Sequence, residues 1–302
     1  MDTMTWFWFS MLALLGWSGS DLFSKMGSKP SDKYSHWKMV MAVGLVMGTH
    51  AIYLLVTGTP FSPRDIITYL PASFLYILAM IFGYVGLRYI ELSISSPICN
   101  SSGAVAALLC FVFLKQTMNG IQFFAVFLIC LAVFLLSLLE KRRDDQLRRE
   151  AALSPDKKYT RSIIAVLFPI LYCVIDGLGT FADALLLDTV IAEEQANMAY
   201  EFTFLFLAIC AFVYVVLIKK QKLVVWDEKP KMAAALCETV GQYFYVFAIG
   251  ANPIIAAPVI SSYCLLSVVW SRLFLKEKLT AKHYALIAMA GVGMAILGFF
   301  DA

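Results

Sequence analysis

The stretch Ile163–Leu187, IIAVLFPILYCVIDGLGTFADALLL, decides how this chain is read. It is apolar over more than the roughly 20 residues that a bilayer crossing takes, yet its interior half carries two carboxylates, Asp176 and Asp183. On a helix, Tyr172, Asp176, Gly179 and Asp183 fall at i, i+4, i+7 and i+11, so two acids, a ring and a bare patch of backbone share one face. The acids stand roughly 10 Å apart along the axis at 1.5 Å per residue. An ionisable group in hydrocarbon costs at least about 2.5 kcal/mol and is normally turned toward a bundle interior or a water-filled cavity. This face is therefore the first candidate site; the alternative is an acid that pairs with a buried base or lines the mouth of the helix.

Composition places the rest of the chain around it. Hydrophobic residues make up 61% and charged residues 15%, against about 45–50% and 25% in a soluble domain, so this is a membrane protein. The charges avoid the apolar runs, which number ten: Met4–Met26, Trp37–Val56, Ile66–Tyr89, Ile94–Leu114, Gly120–Leu139, Ile163–Leu187, Gln195–Ile218, Met232–Gly250, Pro253–Leu275 and Ala281–Phe300. The expected fold is all-α and polytopic, with no room left for a soluble domain. The first run is too long and, at Ser18, Ser20 and Asp21, too polar for a cleaved signal, so it reads as a retained helix. The cysteines all lie inside apolar runs without CxxC or Cys/His spacing, which implies core packing rather than disulfides or a metal.

Lys and Arg concentrate in alternate loops. Lys25, Lys29, Lys33 and Lys38 lie between spans one and two, a run from Lys141 to Arg161 between five and six, Lys219, Lys220, Lys222, Lys229 and Lys231 between seven and eight, and Arg272, Lys276, Lys278 and Lys282 around the last loop. The opposite loops hold Arg64 and Lys115. The positive-inside rule then puts the rich loops in the cytoplasm and both termini outside. The loop KRRDDQLRREAALSPDKKYTR divides the chain into a first five-helix repeat (residues 1–140), a central basic loop (141–161), with a short helix before Ser154-Pro155, and a second repeat (162–302). A shift of 161 residues without a gap lays Tyr84 on Tyr245, Pro97 on Pro258, Ser101 on Ser262 and Phe113-Leu114-Lys115 on Phe274-Leu275-Lys276. Five is an odd number of spans, so the second copy enters the membrane from the opposite side, and two inverted copies are a standard construction for alternating access.

At SSPICNSSGAVAALLCFVFLKQTMNG (95–120) and AAPVISSYCLLSVVWSRLFLKEKLT (256–280) the sequence resembles the drug/metabolite transporter superfamily, in its EamA-like ten-span branch. A proline near the start of spans four and nine, a small polar turn and a large apolar exit carry the resemblance. Phe274-Leu275-Lys276-Glu277 follows that exit closely, whereas the first copy has Gln116 in place of the acid. The resemblance implies a transporter with a cavity lined by spans one, three, four, six, eight and nine, with five and ten peripheral. It also implies cytoplasmic termini, against the charge count; the orientation adopted here follows the charges.

Other spans place polar groups where a cavity would use them. Span eight offers Glu238, Gln242 and Tyr245 at i, i+4 and i+7; span nine offers Tyr263, Ser267 and Trp270 in the same spacing, with Trp270 expected in an interface belt beside Arg272. Span one contributes Gly16, Trp17, Ser20 and Asp21, the polar turn of span four contributes Asn100, and span seven carries Asn197 and Glu201. Acids outnumber the nearby bases, Lys25 and Arg272, both at span ends from which they snorkel to water. An acidic cavity lined by Tyr and Trp attracts an organic cation through charge and ring quadrupole, about 0.5–2 kcal/mol per ring, and the same carboxylates are able to hold a coupling proton. His36, His50 and His283 stand isolated near span ends and receive no role.

The expected function is secondary transport of a small polar or cationic metabolite across the plasma membrane, with lipids and a coupling proton as partners and no cofactor, metal or nucleic acid. The chain lacks the GxxxxGK[ST] loop that supplies ATP. A lipid flippase or scramblase is an alternative from a different class. An intramembrane aspartyl hydrolase is another, disfavoured because its two acids must face each other across helices to share a proton.

Overall fold

In the computed structural model, the described residues are 5–27, 32, 34–86, 99, 101–150, 163–274, 276 and 279–300, and among them every regular element is a helix. They are α1 (Thr5–Gly27), α2 (Ser35–Val56), α3 (Pro63–Gly86), α4 (Ser102–Phe113), α5 (Gly120–Glu150), α6 (Ile163–Thr189), α7 (Glu193–Phe212), α8 (Lys229–Ala251), α9 (Pro253–Ser261), α10 (Tyr263–Phe274) and α11 (Ala281–Phe300). In hydrocarbon every backbone N–H and C=O needs an internal partner, which selects helices. Seven stretches among the described residues are long and apolar enough to cross a membrane: α2, α5, α6, α7 with its extension, α8, α9 together with α10, and α11. Large side chains such as Phe123, Phe206, Leu108 and Phe299 stand exposed on the outside of the bundle, the inverse of a water-soluble core.

Local chemistry sets the helix ends. Asn119 and Gln122 form a reciprocal cap at the start of α5, each side-chain oxygen accepting the other's backbone N–H at 2.8 and 2.9 Å. α5 then runs 31 residues, roughly 46 Å at 1.5 Å per residue, well beyond the roughly 30 Å hydrocarbon layer. The boundary expected at residue 140 therefore falls inside a continuous helix, because Glu140–Glu150 has strong helix formers and no proline or glycine. α7 ends by widening into a π-helical turn, Val213–Ile218.

The ninth run, read as one span, is two helices. They meet at Ser262, whose hydroxyl donates to the Val259 carbonyl at 2.6 Å and whose own carbonyl accepts the Leu265 N–H at 2.9 Å. Pro258, one turn earlier, has no N–H to give the helix. Ser101, 161 residues before Ser262, likewise stands at a helix start, and α4 and α10 are both 12 residues long. Each is followed by a lysine in the left-handed region, Lys115 at φ 53° and Lys276 at φ 57°.

The helices pack in pairs that cross the midpoint of the chain: α1 on α8, α3 on α6, α2 on α7, α4 on α9, and α5 on α11. α2 and α7 approach closely, a Cβ added to Gly44 lying 2.3 Å from the Phe204 carbonyl oxygen, as do α1 and α8, where a Cβ added to Gly16 would lie 2.6 Å from the Cα of Gly241. α4 meets α9 nearly as closely, since a Cβ at Gly103 would lie 2.8 Å from the Ala257 carbonyl oxygen. At one end of the bundle an ionic cluster ties the segment before α2 to the start of α8. Lys38 binds Asp32 at 2.6 Å and Glu228 at 3.3 Å, and the buried Lys231 binds Glu228 at 2.6 Å. Burial alone would raise the pKa of Asp32; the Lys38 ammonium and the Tyr34 N–H outweigh it and hold that carboxyl below its usual 3.8.

Candidate functional site

Between the paired helices lies a cavity of about 180 Å³. α1 supplies Trp17, Ser20 and Asp21, and α6 supplies Tyr172, Asp176 and Thr180 one turn apart on a single face. α8 supplies Glu238, Gln242 and Tyr245, again a single face. The broken ninth run contributes residues from both sides of its break, Ala257, Ile260 and Ser261 before it and Tyr263 after it; Cys99 and Ser102 flank the equivalent point before α4. Tyr76 of α3 and Tyr200 of α7 complete the wall. α5 and α11 contribute none of these lining residues.

Each acid on the wall has a serine partner from a neighbouring helix. Ser267 donates to Asp21 at 2.9 Å, and Ser102 stands beside Asp176 and Ser20 beside Glu238. A hydroxyl satisfies one carboxylate oxygen without neutralising the charge. Among the described residues three acids and no Lys, Arg or His line the cavity. Six rings share the wall: Trp17 lies 4.9 Å from Tyr245 at 33° and 5.9 Å from Tyr263 at 73°, centroid to centroid. The floor is a hydroxyl network, in which Tyr245 and Tyr76 reach the Thr180 hydroxyl at 3.0 and 3.3 Å and also touch each other.

Of the residues singled out in the sequence, the structure brings Trp17, Asp21, Tyr172, Asp176, Glu238, Gln242, Tyr245 and Tyr263 together on this wall. Three others stand elsewhere. Asp183 is fully buried beyond the Thr180 network, where Tyr69 donates to it at 2.6 Å. Gly179 is a packing position, since a Cβ there would come within 3.1 Å of the Tyr76 ring. Ser267 stands behind the wall as the partner of Asp21. Asn100, like Pro97, lies outside the described residues. Trp270 is partly buried, and its indole N–H donates to the Ser18 hydroxyl at 3.0 Å. The facing-acid geometry of an aspartyl hydrolase is not formed by Asp176 and Asp183, which are on one helix with only the former in the cavity.

Sequence reasoning passed over Tyr76, Tyr200, Thr180 and Ser102. A tyrosine in an apolar helix is usual at membrane interfaces and in packed cores, so nothing in the spacing of α3 or α7 marks these two. Thr180 and Ser102 had a detectable signal, because both lie within the polar stretches already singled out.

Comparison with known proteins bears on this geometry. Residues 4–138 match the model of the EamA-like transporter family. No curated protein matches. A solved crystal structure whose description names no function superposes with a TM-score of 0.72 at 12% identity, over 98% of this chain and 97% of its own, and shows the fold alone. The apolar helices make this chain an integral multi-pass membrane protein, and over residues 4–138 it is similar to the EamA-like transporter family.

Proposed function

We propose that the chain is a secondary transporter of a small organic cation or cationic polar metabolite, working by alternating access between two inverted five-helix repeats. The observation that carries the substrate class is the wall itself: among the described residues, three carboxyl groups and six aromatic rings surround one cavity and none of the lining residues is a base. A cation entering it meets both charge and ring quadrupole, whereas an anion meets only repulsion. Supporting the inverted arrangement, the 161-residue shift exchanges the packing pairs α1–α8 and α6–α3, the helix starts after Ser101 and Ser262, and the left-handed lysines 115 and 276. The helices on either side of the Ser262 break end next to the cavity, a usual feature of transporters built this way. The basic loops face the cytoplasm and both termini face outside; a Ser154→Cys variant is then silent to an impermeant thiol reagent in intact cells, and labelling there overturns this orientation.

The substrate class is tested by thermal unfolding of the purified protein against amines, amino acids, nucleosides and sugars. A ligand at 100 times its Kd stabilises by about 2.7 kcal/mol. Amines and cationic nucleosides are expected to raise Tm; stabilisation by neutral sugars or anions alone overturns the cation reading.

A further inference from the structure

Behind the cavity wall a second ionisable group is held in a site of its own. Glu201 of α7 is completely buried, and its ion-pair partner among the described residues is His50 of α2, with Nδ1 2.7 Å from Oε1. His50 acts on Glu201 both as hydrogen-bond partner and as charge, and no other charged group among the described residues does so. The His50 side chain is 30% exposed, so one end of the pair reaches the outside of the bundle and the other is sealed within it. Tyr243 of α8 stands edge-on to the imidazole at 5.5 Å and 90°. Its backbone carbonyl accepts the Asn197 amide at 3.2 Å. The remaining ionisable neighbour is Glu194 on α7, whose charge acts on Tyr243.

Two oxygens in this group lack a donor: Glu201 Oε2 and Asn197 Oδ1, both buried. They belong to residues four apart on α7, one turn of the same face. A buried acceptor without a donor is costly, and a proton carried on Oε2 removes that cost for the carboxyl. Because both oxygens are sealed from solvent, a proton fits where a hydrated metal ion does not. The charge balance agrees: with one exchangeable proton the pair is neutral overall, either as carboxylate and imidazolium or as carboxyl and imidazole. Losing that proton leaves an unpaired carboxylate inside the membrane.

We propose that His50 and Glu201, with Asn197, form a proton-binding site separate from the substrate cavity, and that its protonation drives transport. This rests on the transporter reading above and adds the coupling ion and its place. The link to the cavity is made by two helices. Tyr200, next to Glu201, and Gln242 and Tyr245, either side of Tyr243, line the cavity, so any shift of α7 or α8 that follows protonation moves the wall.

The test begins with infrared difference spectra of the full-length protein in lipid on pH steps, which need no substrate. Wild type is expected to show a protonated-carboxyl band that Glu201→Gln lacks, and that His50→Gln retains with a changed pH dependence. The same band in Glu201→Gln overturns the site, and a band that follows sodium chloride rather than pH overturns the choice of ion. Should Glu201→Gln fail to fold, His50→Gln decides, because an unaltered pH dependence there excludes the pair. Proteoliposomes with a trapped pH dye then test coupling with tetramethylammonium, a small cation that does not cross lipid unaided, as the probe. Wild type is expected to move protons against the probe and His50→Gln to bind the probe but move none; equal proton movement in both overturns the coupling role. If wild type does not carry the probe at all, the organic-cation reading fails, while the infrared result still decides the proton site.

Discussion

Asp176 and Asp183 lie about two turns apart on one face of one helix, and the fold uses them in opposite ways. Asp176 lines a cavity beside a serine; Asp183 is fully buried against the Tyr69 hydroxyl. Between them stands Thr180, to which Tyr76 and Tyr245 both donate, and this layer of hydroxyls closes the cavity. The helix face sets the direction in which an acid points, and the opposing helix decides whether that direction leads to a lumen or to a sealed partner. An acid in a lumen is available to a ligand. An acid bonded to a tyrosine inside a wall holds α3 against α6.

The largest expected effect tests the first half of that contrast. Asp176→Asn keeps shape and removes charge, and losing one member of a buried charge pair costs about 2–5 kcal/mol of binding. Amine-induced stabilisation and uptake should fall at least tenfold with little change in the Tm of the free protein, and a normal ligand response would break the contrast. Next in size, Tyr69→Phe leaves Asp183 without its donor and should cost about 1–3 kcal/mol of stability, read as a lower Tm with ligand affinity unchanged. Reduced affinity at unchanged Tm would instead make Asp183 part of the site. A smaller loss, about 0.5–2 kcal/mol of cation affinity, is expected for Tyr172→Leu, which removes one ring from the wall; titration calorimetry with the best amine measures it.

The smallest effect lies at the ionic end of the bundle, where the charges serve the fold alone. The carboxyl of Asp32 is held below 3.8 in the folded protein. Its contribution is therefore present above the ordinary carboxylate pKa and is lost as pH falls through the lower folded value. Melting curves between about pH 5 and pH 3 should fall less steeply for Lys38→Met than for wild type. Identical slopes would remove the Lys38–Asp32 pair from the stability of this end.

Much of the cavity wall was visible in the sequence for a simple reason, though the sequence put Asp183 on it with Asp176. The period of a helix fixes which residues share a face, so Glu238, Gln242 and Tyr245 could be grouped without a structure, and Asp176 with Tyr172. The apolar runs and the 161-residue shift were legible because the bilayer imposes a length and a repeat imposes a register. What stayed hidden were partners from distant helices: Tyr69 for Asp183, Ser267 for Asp21, and His50 for Glu201, 151 residues apart. Such pairs arise when helices dock, and periodicity carries no information about docking. The break at Ser262 was hidden for another reason, since Pro258 marks the region but the turn falls four residues later.

The left-handed lysines have a consequence for anyone who wishes to work with this protein at the bench. Lys115, Lys220 and Lys276 sit where glycine is the least strained residue, and none of them lines the cavity. A lysine in that conformation trades backbone comfort for a positive charge just past the end of an apolar helix. Replacing it by glycine relaxes the backbone and sacrifices the charge, so these three positions are where a sturdier form of the protein for crystallisation is to be sought without altering what the cavity binds.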